Sequence, residues 1–567
     1  MGSGTQAPNF FEADFNLQRL LAQHLGDAYG RWRPVLADVG AWVATEVDEA
    51  AALTDRHAPP VLDAFDREGR LANRILQNPA WLAVSREAYR KGVVGLNYGA
   101  APAPFLLTFA LGYLISQADV SLHCPVTMTG AVAYVLSRHA PAALASRYLP
   151  MLTRRDGEAL TGGTWATELH GGSDIGATTT RARREGDHWR LTGLKWFASN
   201  ANGGLALATA RPEGGAPGTK GLGLYLVPLS LADGTPNALR FRRLKDKLGT
   251  TGIPTAEIDL TDTWAAEVAA PPEGFKLMMA ALEFSRLHNA MGSAGLQRRA
   301  FMEAHAYAGG RRAFGDAIAN YPMVQEELAL MLARLEAGTA LAFEAARAFD
   351  AADQARAGED DEHRLWLRLA TALAKYQTAE EANRACRSAI EVIGGNGYTY
   401  DYVTPRLLRD AQVMTVWEGP ANIQALEVLR LVAGRYPGAD AFAARIEPLL
   451  AGLPPRLSAI AVPIREALAE WRAALGLMRA DAEQAHRHAR RLLALMADIL
   501  AAALLLEEAQ LSLAAGDERK ALVARLFIEC QLSAARPGVL PKRDWLYRNF
   551  HALASQAGIG PGRLAGA

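Results

Sequence analysis

The spacing of apolar and polar positions divides the chain into helical and strand-like stretches. Over the first 150 or so residues, apolar positions recur three and four apart, which predicts helices joined by turns such as "HAPP" and "YGAAPAP". From about Ala159 the pattern alternates, with β-branched and aromatic residues broken by Gly, Asn and Asp. We therefore predict an N-terminal helical domain, 1–157, and a compact antiparallel β domain, 158–272.

The helical period returns after "PPEGFK" in three long stretches and again after Gly419. The long stretches are 273–310, 322–356 and 363–393. Long helices with short connections are typical of a bundle, which we place at 273–435. "RYPGADAF", at 435–442, marks a boundary before an additional helical domain, 436–567. The fold class is α+β and mainly α.

Charge and cysteine content narrow the function classes. Sixty Lys plus Arg balance sixty Asp plus Glu, so a nucleic acid or an anionic membrane could bind only a local patch. Three distant cysteines argue against a disulfide framework or a cysteine metal site and fit a reducing cytoplasm. The first residues show no basic segment followed by an apolar one, so we expect no secretion signal. The most apolar run, from Leu492, contains Asp498 and is too short to span a bilayer, so we predict a buried helix and no membrane partner.

The stretch "VWEGPANIQ", 416–424, places an acidic residue just ahead of a helical pattern. Pro420 supports a helix start, because its fixed φ suits the first turn and its missing N–H is not needed there. Glu418 then has two readings. It either interacts with the positive end of the helix dipole and does nothing else, or acts as a general base whose pKa is set by the dipole, a ring and burial.

Three further motifs are weak when each is taken alone. "TWATELHGGSD", 164–174, offers hydroxyls and backbone donors suited to a flavin edge or a phosphate, but also reads as a capped loop. "GLKWFASN", 193–200, could wall a planar ring or form an ordinary strand edge. Gly394 and Gly395 end a helix with no strand before them, so they read as a glycine C-cap and not as a Rossmann fingerprint.

In order and spacing, these motifs together with "RRAFG" at 311–315 resemble the acyl-CoA dehydrogenase family over residues 90–435. The resemblance implies an N-terminal helical domain, a middle β domain, a C-terminal four-helix bundle, bound FAD and a homotetramer. It places the FAD contacts at Thr164, Ala166, Thr167, Gly172, Ser173, Phe197, Ala198, Ser199, Arg311, Gly394, Gly395, Trp417 and Asn422. Phe197 stands where the family usually has Trp, and Glu391 and Pro322 stand where Gln is common.

Further features, some inside this core and some beyond it, are similar to one branch, the AidB-type adaptive-response flavoproteins, which are associated with alkylated DNA. They are "SLHCPVTMT" at 121–129, "RLKDKLGTTG" at 243–252, "VWEGPANIQALEVLR", the extended N-terminus and the further C-terminal domain. This likeness favours an FAD-binding protein of the dehydrogenase type that binds double-stranded DNA and has weak or unknown redox activity.

Two other functions stay open. One is a working acyl-CoA dehydrogenase, an oxidoreductase of CH–CH groups that acts on short or branched acyl-CoA and passes electrons to an electron-transfer flavoprotein. The resemblance makes Glu418 its base, because isovaleryl-type members use an earlier helix at a position that is Ser285 here, and serine cannot act unaided. The other is a structural protein that keeps FAD only to stabilise its fold.

DNA binding would need a local basic surface. Residues 441–567 carry sixteen Lys plus Arg against twelve Asp plus Glu, a slight excess that a solvated helix face explains equally well. The candidate DNA-binding residues are Arg430, Arg487, Arg490, Arg491, Lys542 and Arg543, and Arg519 with Lys520 forms a further basic cluster. His288, His486 and His488 lack a companion ligand set, so we predict no metal site.

Overall fold

Residues 8–355, 360–533, 544–556 and 558–560 are described by a computed structural model. Contacts group the chain into two units. The first contains residues 38–288, and the second contains residues 8–37 with 289–567. The boundaries lie inside helices α2 (Tyr29–Trp42) and α8 (Glu273–Gly310). These units cut across the four predicted domains, whose boundaries remain predictions.

The N-terminal half of the first unit is helical, as predicted. Asn78 caps α4 by accepting a hydrogen bond from the Trp81 N–H, and Gly92 ends it with a φ of 90°. By length and composition, α6 could cross a membrane, but 83% of its apolar window is buried inside the protein. The helices are α3 (Asp48–Arg56), α4 (Pro79–Lys91), α5 (Phe105–Ser116), α6 (Val120–His139) and α7 (Ala142–Thr153).

A β-hairpin interrupts these helices and was not predicted. It pairs β1 (Val61–Phe65) with β2 (Leu71–Leu76) in antiparallel fashion. Leu62 and Ile75 pack against the core of the β domain, which fixes the face of the hairpin that points inward. The signal was present in the sequence, because two short apolar runs flank the turn "DREG".

Seven strands of the described chain form the β domain, and their sheet is mixed. Strand β6 pairs in parallel with β3 and β4, whereas its pairing with β7 and the pairings of β5, β7 and β8 with β9 are antiparallel. The prediction of a purely antiparallel domain was therefore wrong, because alternation records which face a side chain occupies and not strand direction. The strands are β3 (Thr161–Trp165), β4 (Arg181–Glu185), β5 (His188–Ser199), β6 (Gly204–Pro212), β7 (Gly223–Pro228), β8 (Leu239–Leu244) and β9 (Thr255–Ala269).

Long helices dominate the second unit. Helix α8 and its two successors, α9 (Pro322–Gln354) and α10 (Asp360–Ile393), match the predicted stretches closely. A hairpin of β10 (Arg312–Ala313) and β11 (Asp316–Ala317) follows α8. The remaining helices are α1 (Phe15–Leu25), α11 (Thr404–Met414), α12 (Ala421–Val432), α13 (Gly438–Ala451), α14 (Pro455–Ile460), α15 (Val462–Ala480), α16 (Ala482–Ala514), α17 (Arg519–Gln531) and α18 (Asp544–Ala554).

Helix α16 contains the most apolar run of the chain and is buried along much of its length, which confirms the predicted core helix. Its Asp498 accepts a hydrogen bond of 3.0 Å from the Gln377 side-chain amide of α10. Burial, with the nearby Glu381 as a second cause, raises the pKa of Asp498 to about 7, against the lowering effects of the Gln377 hydrogen bond, Arg384 and Arg334. Asp498 therefore holds a proton in the folded protein at mildly acidic pH.

Asp498→Asn should change how stability depends on pH. The folded pKa lies above the ordinary 3.8, so the folded protein binds the extra proton, and stability is lost as pH rises from about 4 through 7. Asparagine stays neutral, so we expect the variant to be more stable than the native protein at pH 8, by on the order of 2 kcal/mol, and similar at pH 4. Urea unfolding midpoints at several pH values measure this difference. Parallel profiles for the two proteins would contradict the assignment.

Candidate active site

One candidate segment is a loop that leaves β3 in the first unit. Thr164 lies near the end of β3, and Ala166 is buried just beyond it. The Trp196 N–H of β5 donates a 3.0 Å hydrogen bond to the Thr167 carbonyl, so the loop is fixed beside the motif "KWFAS". Within the described chain, the hydroxyls of Thr164, Thr167 and Ser173 have no protein hydrogen-bond partner. These are free donors of the kind that a polar ligand edge requires.

A buried ion pair that the sequence analysis missed supports this loop. Glu168 accepts hydrogen bonds from the hydroxyls of Thr179 and Thr180 and from the ammonium of Lys195 at 2.9 Å. Burial alone would raise the pKa of Glu168, but Lys195 and the two hydroxyls lower it to about 2. The charged pair therefore ties the loop to β5. The signal was available, because Lys195 shares the inward face of β5 with the buried Leu191.

Strand β5 presents an aromatic side chain outward. The register of β5 against β9 shifts between Lys195 and Ala198, and Phe197 lies in this bulge with 53% of its surface exposed. Ala198 is buried, and the Ser199 hydroxyl hydrogen-bonds that of Thr255 at 3.0 Å. An exposed large aromatic beside small residues offers a flat apolar surface.

The loop and strand fit a flavin. Gly172 lies so close to Thr167 that a Cβ on the glycine would be 2.8 Å from the threonine Oγ1, so only glycine leaves that hydroxyl accessible. Free hydroxyls and the exposed Phe197 ring supply the donors and the apolar surface that an isoalloxazine edge and a phosphate would use. The described residues include no group of three side chains that could hold a metal ion.

A second candidate segment is the turn between α11 and α12 in the second unit. Glu418 has a φ of 59°, and Gly419 follows with a φ of 96°. The Gln424 amide donates to the carbonyls of both residues, at 3.1 and 3.0 Å. Pro420 precedes the first residue of α12, which confirms the predicted helix start. Glu418 therefore lies beside the positive end of a helix in a backbone conformation that is strained for a non-glycine residue.

Two other residues that could have served as an acid or base, Ser285 and His288, are instead buried and bonded to neighbouring residues. Ser285 is fully buried, and its hydroxyl donates to the Ala281 carbonyl of its own helix at 3.1 Å. His288 is buried against His123, with 2.9 Å between Nδ1 and Nε2, and burial lowers the pKa of His123 to about 3. This pair is neutral near pH 7 and belongs to the core.

The other predicted FAD contacts lie on exposed parts of the second unit. Arg311 follows the end of α8 and is exposed. Gly394 and Gly395 follow the end of α10, and a Cβ at either position would have no atom within 4 Å. Close packing therefore does not require glycine at 394, but its left-handed φ of 75° does favour glycine there. Trp417 is half-buried and Asn422 is exposed at the start of α12. Their roles remain predictions.

Three segments match known protein families. Residues 3–158 match the adaptive response protein AidB N-terminal domain, 163–263 the acyl-CoA dehydrogenase middle domain, and 272–433 the acyl-CoA dehydrogenase C-terminal domain. Acyl-CoA dehydrogenase family member 11 of Caenorhabditis elegans is 32% identical over 79% of this chain and 74% of its own length. The putative acyl-CoA dehydrogenase AidB of Escherichia coli (strain K12) is 33% identical over 71% and 75%.

The chain belongs to the acyl-CoA dehydrogenase family. Family membership confirms the predicted fold, an FAD cofactor and the class of oxidoreductases acting on CH–CH groups. Among solved structures, Caenorhabditis elegans ACDH-11 in complex with C11-CoA superposes with a TM-score of 0.86 at 29% identity, covering 94% of both chains.

The arginines that the sequence analysis proposed for DNA are mostly engaged with carboxylates in this family member. Arg430 pairs with Glu427 and Arg487 with Glu483. Two others also have partners: Arg490 bonds Glu380 at 3.1 Å, and Arg491 bonds the His488 ring at 3.2 Å. Lys542 and Arg543 lie outside the described residues.

The predicted basic cluster of Arg519 and Lys520 is not a surface feature, so neither a DNA contact nor a solvated helix face describes it. Both side chains are buried, and both pair with Glu336 of α9, which lies far away in sequence. Lys520 also contacts Glu508 and Asn16. These two cations balance buried acidic groups and cannot reach a phosphate.

Proposed function

We propose that this protein is a working acyl-CoA dehydrogenase in which Glu418 is the base. The Glu418 carboxylate would take the α proton of an acyl-CoA thioester, and FAD, when bound, would supply the acceptor for the β hydride, which gives a 2-enoyl-CoA. The main support for this proposal is the strained backbone of Glu418. Such a conformation persists only where the surrounding structure fixes it, and strained residues are concentrated at functional sites.

Two further observations support the proposal. The Ser285 hydroxyl is bonded to its own helix, so the alternative base position of the family is unsuited here. The relative ACDH-11, whose structure covers 94% of this chain, was solved in complex with C11-CoA. This complex supports an acyl-CoA thioester as the substrate class. The dehydrogenase reading therefore moves ahead of the DNA-associated reading that the sequence favoured.

The test is an anaerobic absorbance titration of the FAD-loaded protein. The panel is butyryl-, isovaleryl-, octanoyl- and undecanoyl-CoA, with the free acids as controls, because a free carboxylate does not acidify its α proton as a thioester does. We expect saturable bleaching of the flavin band with at least one thioester and none with the acids. Unchanged spectra across the panel would contradict the proposal.

We extend the proposal to partners and location. An electron-transfer flavoprotein is the proposed acceptor, a homotetramer the proposed assembly and the cytoplasm the proposed compartment, each supported by the family likeness or the cysteine content. Light scattering on a sizing column checks the assembly, since a tetramer has about four times the 60.9 kDa of one chain. Turnover with and without an electron-transfer flavoprotein checks the acceptor.

Duplex DNA binding is the second candidate function. It is supported by the match to the AidB N-terminal domain over residues 3–158 and by the exposed Arg430. It ranks second because Arg430, Arg487 and Arg490 already pair with carboxylates, which a phosphate would have to displace. The third reading, FAD kept only to stabilise the fold, would be favoured if neither reduction nor binding were found.

The paired arginines predict weak salt dependence for any DNA complex. Each phosphate neutralised contributes about −0.9 to the slope of log affinity against log salt, so we expect a slope shallower than about −3. Fluorescence anisotropy with a labelled duplex, over about a fourfold range of salt concentration from about 50 to 200 mM, measures this slope. A slope of about −6 or steeper, reduced by Arg430→Ala, would reverse the ranking of the two functions.

A further inference from the structure

The turn that carries Glu418 joins two helices through two successive left-handed residues. Helix α11 ends at Met414, and α12 begins at Ala421. Between them, Glu418 and Gly419 have φ values of 59° and 96°. Glycine adopts this conformation freely, but a glutamate pays about 1 kcal/mol or more for it. Other groups must therefore hold the turn in place.

Two buried side chains from different helices hold it. Lys375 of α10 is 1% exposed, and its ammonium donates a 2.8 Å hydrogen bond to the Gly419 carbonyl. Gln424 of α12 is also 1% exposed, and its amide donates to the carbonyls of Glu418 and Gly419. Because peptide units are planar, fixing two successive carbonyls fixes the peptide planes on the C-terminal side of Glu418. The clamp thereby restricts the direction in which the Glu418 side chain leaves the backbone.

Glycine at 419 completes this arrangement. A Cβ there would lie 3.0 Å from the Gln424 Nε2 and 3.1 Å from the Ile423 Cγ2. A side chain at 419 would therefore push against the same amide that bonds the two carbonyls. Lys375, Gln424 and Gly419 act on the turn as one unit.

A buried ammonium is costly unless it serves a defined contact. A base must also lie within hydrogen-bonding distance of the proton it removes, and displacement by about 1 Å can reduce a rate about a hundredfold. We propose that Lys375 is a positioning residue for Glu418, holding the strained turn through the Gly419 carbonyl. The catalytic consequence rests on the proposed function, whereas the clamp itself does not.

The test compares Lys375→Met with Lys375→Arg in the FAD-loaded protein. Met keeps the length and loses the ammonium. We expect Lys375→Met to slow anaerobic flavin reduction by octanoyl-CoA at saturation about ten- to a hundredfold, with the half-saturating concentration within about twofold of native. Lys375→Arg, which keeps a cationic donor, should recover most of the rate. If Lys375→Met raised only the half-saturating concentration of octanoyl-CoA and kept the native rate at saturation, the positioning role would be overturned.

Hydrogen exchange gives a second readout that needs no substrate. Peptides covering 415–424 should exchange about tenfold faster in Lys375→Met than in the native protein, while peptides within α10 keep their protection. Gln424→Met removes the other half of the clamp and should change the same peptides. Unchanged exchange at 415–424 would overturn the clamp even if the rate fell.

Lys520→Met is the matched control. Lys520 is equally buried in the same unit and bonds Glu336 at 2.6 Å, far from the turn in sequence. We expect this variant to lose stability but to keep the native reduction rate and the native exchange at 415–424. If it reproduced the effects of Lys375→Met, general destabilisation would be the cause and the positioning role would be overturned.

The two proposals fail in different ways. If no thioester reduces the flavin of the native protein, the proposed function fails. The hydrogen-exchange rates at 415–424 still show whether Lys375 holds the turn. If the native protein is reduced and Lys375→Met matches it in rate and exchange, the positioning role fails and the proposed function stands.

Discussion

Replacing Glu418 with Gln abolishes flavin reduction by acyl-CoA thioesters and leaves FAD bound. The amide has nearly the same size as the carboxylate and cannot accept the α proton, so we expect the reduction rate to fall by about a thousandfold or more. The backbone clamp from Gln424 does not involve the Glu418 side chain, so the turn should keep its conformation. Anaerobic stopped-flow absorbance measures the rate, and the ratio of flavin to protein absorbance measures bound FAD.

Two companion variants sharpen this experiment. Glu427→Gln changes a carboxylate on the adjoining helix α12, where it bonds Arg368 at 2.6 Å, and should keep the native rate. Ser285→Ala removes a hydroxyl that only bonds its own helix and should also keep it. A native rate in Glu418→Gln would show that another group takes the proton. Loss of FAD together with the rate would make Glu418 a structural residue and restore the dipole reading.

Each sequence pattern contains only part of the information that determines the fold. The three long helices could be predicted because each stretch continues for more than thirty positions without a proline inside it. Alternation identified the β domain, but the parallel pairing of β6 with β3 and β4 depends on chain connection, which alternation does not record. The hairpin β1–β2 was missed because it lies within a helical region.

The candidate site divides in a similar way. Motif order located the Thr167 loop, Phe197 and the Glu418 turn, and these positions are consistent with the structure of each unit. The contacts that support them join residues distant in sequence, such as Lys375 to Gly419, and no local pattern reveals them. The burial and the partners of charged residues were the hardest features to predict from the sequence. Arg519 and Lys520 look like a surface cluster in sequence because their partner Glu336 lies about 180 positions earlier.

Replacing Glu336 with Ala should destabilise the second unit strongly. Its carboxylate is fully buried and bonds Arg519 and Lys520, and these two cations together outweigh burial and lower the pKa of Glu336 to about 2. Removing it leaves the buried Arg519 guanidinium with the Leu553 carbonyl, at 3.1 Å, as its remaining hydrogen-bond acceptor among the described residues. We expect a loss of about 3–5 kcal/mol, typical of breaking one side of a buried ion pair. The midpoint of urea unfolding, followed by circular dichroism, measures this loss.

The cause of that loss can be separated from a simple cavity. Glu336→Leu combined with Arg519→Met replaces the charged pair with apolar groups of similar size, and we expect it to recover most of the lost stability, because the remaining Lys520 still pairs with Glu508 at 2.6 Å. Glu380→Ala, which breaks the exposed pair with Arg490, should cost less than about 1 kcal/mol. If the double variant were no more stable than Glu336→Ala, packing rather than an uncompensated buried charge would explain the effect.

The native ion pair also predicts how stability depends on pH. Because the pKa of Glu336 is lowered in the folded protein, its contribution to the free energy of unfolding is present above about pH 4.5 and is lost as pH falls toward 2.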